Sequence, residues 1–129
     1  MYNLYRVNLL HILLIGPLLT YIGYYKKDSN YGLKLALGGI VLMIPFVVRL
    51  PDLNNLKNKV HLTNLLHWTL ILVFLGYISY KFYKNEDIHY QIYNILFVTG
   101  IIVIITHIYL LYDKYNQLKK QKFKTKKLK

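Results

Sequence analysis

IHYQIYNILFVTGIIVIITHIYLLY, residues 88–112, contains no Asp, Glu, Lys or Arg. A bilayer core of ~30 Å is crossed by ~20 helical residues, and an apolar run of ~18 or more is a spanning candidate. The same reading extends outward along the chain. Val60–Tyr80 and Val7–Tyr25 are also free of charge, and so is the shorter Leu35–Val48. Lys34 and Arg49 flank that shorter run, and their long side chains can reach the headgroups from inside the hydrocarbon boundary. The chain is 55% hydrophobic with a mean hydropathy of +0.28, and these runs are apolar on every helical face. A soluble bundle would place polar residues on one face of each helix. The predicted fold class is therefore all-α: an integral membrane four-helix bundle.

Turn chemistry sets the boundaries. Helix 1 is expected over Asn3–Tyr25, before the polar Lys26-Lys27-Asp28-Ser29-Asn30, in which Ser29 or Asn30 can cap the second helix. Helix 2 is expected over Tyr31–Leu50 and ends at Pro51, which cannot continue a helix; Asp52, Asn54 and Asn55 favour the turn beyond it. Helix 3 is expected over Val60–Lys84 and helix 4 over Ile88–Tyr115, with Asn85-Glu86-Asp87 between them. A Lys-rich tail, 118–129, is expected to fray into solvent.

The chain also repeats itself. Asn8-Leu9-Leu10-His11 opens the first run, and Asn64-Leu65-Leu66-His67 lies near the start of the third. Leu35–Leu50 aligns without gaps on Leu96–Leu111, matching Gly39 with Gly100 and Phe46 with His107. This predicts two tandem hairpins, 1–51 and 58–117, related by an axis along the membrane normal. Gly16, Gly23, Gly38, Gly39, Gly76 and Gly100 are read as sites of close helix approach, with room for a flat cofactor as the alternative.

Charge orients the bundle. Arg6, Arg49, Lys57, Lys59 and the lysines beyond Tyr112 fall on one side, opposed only by Asp52 and Asp113. Lys26, Lys27, Lys34, Lys81 and Lys84 share the other side with Asp28, Glu86 and Asp87. Basic residues accumulate on the cytosolic side, so both termini are expected there. Tyrosines gather at both predicted ends of the helices, as interfacial belts do. Aromatic stacking on nucleic acid would need a soluble basic groove, and no nucleic-acid partner is expected. The partners expected are the bilayer and anionic headgroups, the latter through Lys119, Lys120, Lys122, Lys124, Lys126 and Lys127. A homo-oligomer is compatible with the pattern. The closing KKLK fits a dilysine retrieval address.

Chemistry has few candidates. The chain has no Cys, which removes disulfides and thiolate metal sites. No nucleotide-binding or hydrolase motif is present, and no carboxylate pair lies inside a run. A small channel or transporter therefore has no charged pathway residue in its favour. His11, His67 and His107 fall within ~6–11 Å of the cytosolic boundary if the helices alternate. Two neutral imidazoles can ligate a b-type haem, and three can hold zinc or copper, with Asn8 and Asn64 as orienting partners. The bland reading is that the three rings hydrogen-bond between helices. His61 and His89 are read as interfacial only.

Asn8–Tyr25, NLLHILLIGPLLTYIGYY, resembles small multi-pass membrane proteins of nucleocytoplasmic large DNA viruses. The resemblance rests on a His followed by Pro-Leu-Leu and Tyr-Ile-Gly in one spanning helix. Abundant Ile, Lys, Asn and Tyr, which have AT-rich codons, agree with it. Helix 3 departs from the pattern, with Leu72-Val73-Phe74 where Pro17 would repeat. The resemblance implies a viral or endoplasmic-reticulum-derived membrane and no particular chemistry.

Overall fold

The computed structural model describes residues 4–28 and 30–127, and these form four long helices with no strand among them. Leu4–Leu10, His11–Ile15 and Gly16–Tyr25 follow one another as a single helix, α1. Helix α2 is Tyr31–Val47. Lys59–Leu66, His67–Ile71 and Leu72–Tyr83 make α3, and Tyr90–Lys127 is α4. Short 3-10 turns at Lys26–Asp28 and Leu53–Asn55 lie in the connections.

Each boundary has a local cause. Asn30 caps α2, its side chain accepting from Gly32 N–H at 2.8 Å. Asn58 caps α3 in the same way through Val60 N–H at 3.0 Å. Helix α2 stops at Val47, short of the expected Leu50, with Val48 already extended. Pro51 disfavours helical backbone at the residue before it, and the Trp68 indole N–H takes up the Val48 carbonyl at 3.1 Å. At 17 residues α2 is ~26 Å long, just under the thickness of a bilayer core.

Helix α3 ends in a left-handed cap. Asn85 has φ +54°, Glu86 N–H donates to the Lys81 carbonyl at 3.0 Å, and Asn85 N–H to Phe82 at 3.2 Å. This is a Schellman arrangement, with Asn where Gly is commonest. Helix α4 starts at Tyr90 rather than Ile88, because His89 caps it: its Nδ1 accepts from Gln91 N–H at 3.3 Å. His89 therefore has a structural task beyond sitting at the interface. So does His61, whose Nδ1 accepts from Asp52 N–H at 3.2 Å.

The tail is a correction. Helix α4 does not end at Tyr115 but continues to Lys127. Neither Gly nor Pro interrupts that segment, and Gln117 bonds Asp113 one turn back at 2.8 Å. The side chains of Lys120, Lys122, Lys124, Lys126 and Lys127 lie outside the described residues.

The chain divides into two compact units, a partition different from 1–51 and 58–117. One joins residues 4–24 of α1 with α4 from Asn94 onward, and the other is Tyr25–Tyr93, containing α2 and α3. In the Tyr25–Tyr93 unit, Leu37 and Ile44 of α2 are buried, as are Leu75, Ile78 and Phe82 of α3. Leu13, Leu42, Phe46, Leu70, Val73 and Ile105 are exposed. An apolar surface this extensive suits hydrocarbon and would drive association in water.

Candidate functional site: the histidine–asparagine cluster

Helices α1 and α4 run antiparallel within their unit and come closest at two glycines. A Cβ added to Gly100 would lie 2.5 Å from Thr20 N and 2.7 Å from Gly16 O. One added to Gly16 would collide with the Ile104 side chain and stand 2.9 Å from the His11 carbonyl. Backbone meets backbone here, so these glycines serve packing and leave no slot for a flat cofactor. The Thr20 hydroxyl folds back onto the Gly16 carbonyl at 2.9 Å.

Two turns along α4 from Gly100, His107 meets His11. The imidazole rings stack with centroids 4.1 Å apart and planes 20° from parallel. Asn8 completes the cluster: its Oδ1 accepts from His107 Nδ1–H at 2.8 Å, and the residue is only 2% exposed. The Asn8 Nδ2 donor is buried and has no hydrogen-bond partner among the described residues. Sequence spacing had placed Asn8 to orient His11 on its own helix, whereas it orients His107 across the interface.

His11 uses its own backbone instead. Its Nδ1–H donates to the Val7 carbonyl at 2.8 Å, and the chain then enters a π turn, His11–Ile15, closed by Gly16 N–H on the His11 carbonyl. His67 repeats this bond for bond. Its Nδ1–H donates to the Thr63 carbonyl at 2.8 Å, and a π turn, His67–Ile71, closes by Leu72 N–H on the His67 carbonyl. Pro17 sits just past the first turn, where its ring would otherwise crowd the Leu13 carbonyl. The second turn forms without a proline, so proline is not its general cause. Single π turns inside α-helices recur at functional sites.

His67 and Asn64 are both half-buried and belong to the Tyr25–Tyr93 unit. The structure therefore brings together His11, His107 and Asn8, and puts His67 and Asn64 in the other unit. Among the described residues, no group of three or more His, Cys, Asp or Glu side chains is gathered to hold a metal ion. All three candidate histidines carry their proton on Nδ1, because a carbonyl oxygen faces that nitrogen in each. The neutral ring then keeps its lone pair on Nε2. Trp68 was missed in the sequence; its indole does for α2 and α3 what Asn8 does for α1 and α4, and no spacing rule links it to Val48. No protein-family model, curated protein or solved structure matches the chain.

Proposed function

We propose that this chain is a small polytopic integral membrane protein that acts as a non-enzymatic component of its membrane. The observation that carries the reading is that Tyr5–Tyr25, Lys59–Tyr83 and Tyr90–Lys119 are each long and apolar enough to cross a bilayer. Helix α2 completes the set as a shorter span, with Lys34 and Arg49 reaching the headgroups from its ends. The charge asymmetry puts both termini in the cytosol. The composition, the α1 motif and the closing KKLK fit an endoplasmic-reticulum-derived or virion membrane. The tail lysines would meet anionic lipid where α4 leaves the bilayer. Reporter fusions at residues 1 and 129 should give the same compartment, and the protein should resist extraction by alkaline carbonate. Opposite compartments would mean an odd number of crossings.

One observation favours a second reading, a b-type haem or metal site at His11 and His107 of the α1–α4 unit, with His67 belonging to the other unit. The Nδ1–H of each ring is held by an oxygen at 2.8 Å, which leaves Nε2 as the ligating nitrogen; ligating histidines are commonly held in this way. Against it stands the stack. A ring binds a metal in its own plane, so two nearly parallel rings cannot share one ion until one of them turns edge-on. An absorption spectrum of the purified protein decides: a Soret band lost in His107→Ala would establish the haem reading, and its absence would leave interhelical bonding as the role of the cluster.

A further inference from the structure

Asn64 and His67 lie one turn apart on α3 and keep hydrogen-bonding groups unused. The Asn64 side chain makes no hydrogen bond among the described residues, and His67 uses only Nδ1, on the Thr63 carbonyl at 2.8 Å. Both residues are half-buried, and neither has a polar atom sealed inside the chain. Asn64 therefore offers an Nδ2–H donor, and His67 an Nε2 acceptor. The two belong to one stripe of α3, with Val60, 62% exposed, a turn before them and Ile71, 36% exposed, a turn after. The whole run Val60–Tyr80 is free of charge. Asn64 and His67 stand ~6 and ~11 Å past Val60 along the helix axis. Polar groups at such a depth in a spanning helix turn to a partner, because hydrocarbon offers none.

We propose that this stripe pairs with the same stripe of a second copy of the chain, giving a two-fold symmetric dimer along α3. The inference rests on the membrane reading: copies inserted in one bilayer share an orientation, so their α3 helices run parallel about an axis along the membrane normal. The chemistry is self-complementary. Asn64 Nδ2–H of each copy donates to His67 Nε2 of the other, and the symmetry makes the bond twice. Helical side chains lean towards the N-terminus, and the bond to Thr63 holds the His67 ring that way, towards the level of Asn64 in a parallel neighbour. The α1–α4 unit already joins two helices with these residue types, through Asn8 and His107. In the second unit the matching asparagine has no such histidine within its own chain, and a second copy supplies it.

The intact protein, labelled with donor and acceptor dyes, is reconstituted in phosphatidylcholine vesicles, and association is read by energy transfer against the protein-to-lipid ratio. Failure to enter the vesicles would refute the membrane reading itself; entry as a monomer at every ratio would refute only the pairing. Asn64→Ala breaks no hydrogen bond within its own chain, so helix content should hold while association weakens about tenfold, the scale of two interhelical bonds in a membrane. His67→Ala should weaken it as much, and the double variant no further, since the same two bonds are lost. Mixing Asn64→Ala copies with His67→Ala copies should recover about threefold, because one bond survives in each mixed pair. The chain has no Cys, so single cysteines report the face directly. Val60→Cys should cross-link into a dimer on oxidation, and Leu62→Cys, on the opposite side of α3, should not. Association unchanged in Asn64→Ala overturns the proposal, as does cross-linking at Leu62→Cys in preference to Val60→Cys. Association abolished by a chelator would mean that a metal ion joins the two His67 rings, and likewise overturns it.

Discussion

The two Asn-Leu-Leu-His segments are alike in their backbone and different in their surroundings. His11 and His67 each bond the carbonyl four residues back at 2.8 Å and each open a π turn. Yet Asn8 is buried and bonded to His107, while Asn64 is half-buried and makes no side-chain hydrogen bond among the described residues. The task of joining neighbouring helices passes in the second case from Asn64 to Trp68. Identical residues therefore fix the local bond and the wide turn; the helix across the interface decides whether the tetrapeptide becomes a polar cluster. In the first unit that neighbour is α4, admitted to close range by glycine.

The largest test of this contrast uses the glycines that the repeat aligns. Gly100→Ala should be severely damaging, since its Cβ would strike the backbone of Thr20 and Gly16, which cannot swing aside. A loss of about 3 kcal/mol, at the upper end of overpacking effects, is expected in a thermal or denaturant unfolding series. Gly39→Ala meets nothing within 4 Å and should be neutral or slightly stabilising, because Ala is the better helix former. Equal losses at the two positions would show that the units are packed alike, and the comparison would fail.

Much of this was legible in the sequence, for physical reasons. Charge-free runs and Asx caps act over a few residues, so the helices, a cap at Ser29 or Asn30 and the break at Pro51 could be read directly. The extent of α4 could not. A Lys-rich tail suggests fraying, whereas Lys, Gln and Leu are good helix formers and no breaker comes after Tyr112. Partners across interfaces were hidden as well. The bond from Asn8 to His107 spans 99 positions, and no periodicity encodes it. The π turns were invisible because they depend on hydrogen-bond register rather than on residue type.

A smaller effect separates the two asparagines. Asn8→Ala removes the acceptor of His107 but also deletes the orphaned Nδ2 donor, so the two changes partly offset. A net loss of about 1 kcal/mol is expected, within the range measured for interhelical hydrogen bonds in membranes. Asn64→Ala should lie near zero. A double-mutant cycle of Asn8→Ala with His107→Ala should give a coupling of about 0.6–1.7 kcal/mol. Trp68→Phe, which frees the Val48 carbonyl but keeps the ring, should cost a similar amount. A larger loss for Asn64→Ala than for Trp68→Phe would return the joining role in the second unit to the tetrapeptide.

The smallest effect is the position of single protons, and it tests the half of the comparison that claims likeness. A carbonyl oxygen can only accept, so the nitrogen facing it must donate. That assigns Nδ1–H to His11, His67 and His107. His61 and His89 are the internal controls: their Nδ1 faces a backbone N–H from Asp52 and Gln91, so these rings must carry the proton on Nε2 when neutral. Nitrogen-15 spectra of selectively labelled protein, at a pH where the rings are neutral, distinguish the two tautomers directly. Three rings should report one form and two the other, with His11 and His67 alike despite their different surroundings. If His67 reads as Nε2–H, its bond to Thr63 is absent, the second π turn loses the feature it shares with the first, and the likeness reduces to four letters of sequence. If both read as Nδ1–H and Asn64→Ala leaves them so, the tautomer is set by each helix's own backbone, and only the neighbouring helix distinguishes a stacked histidine pair from a lone ring.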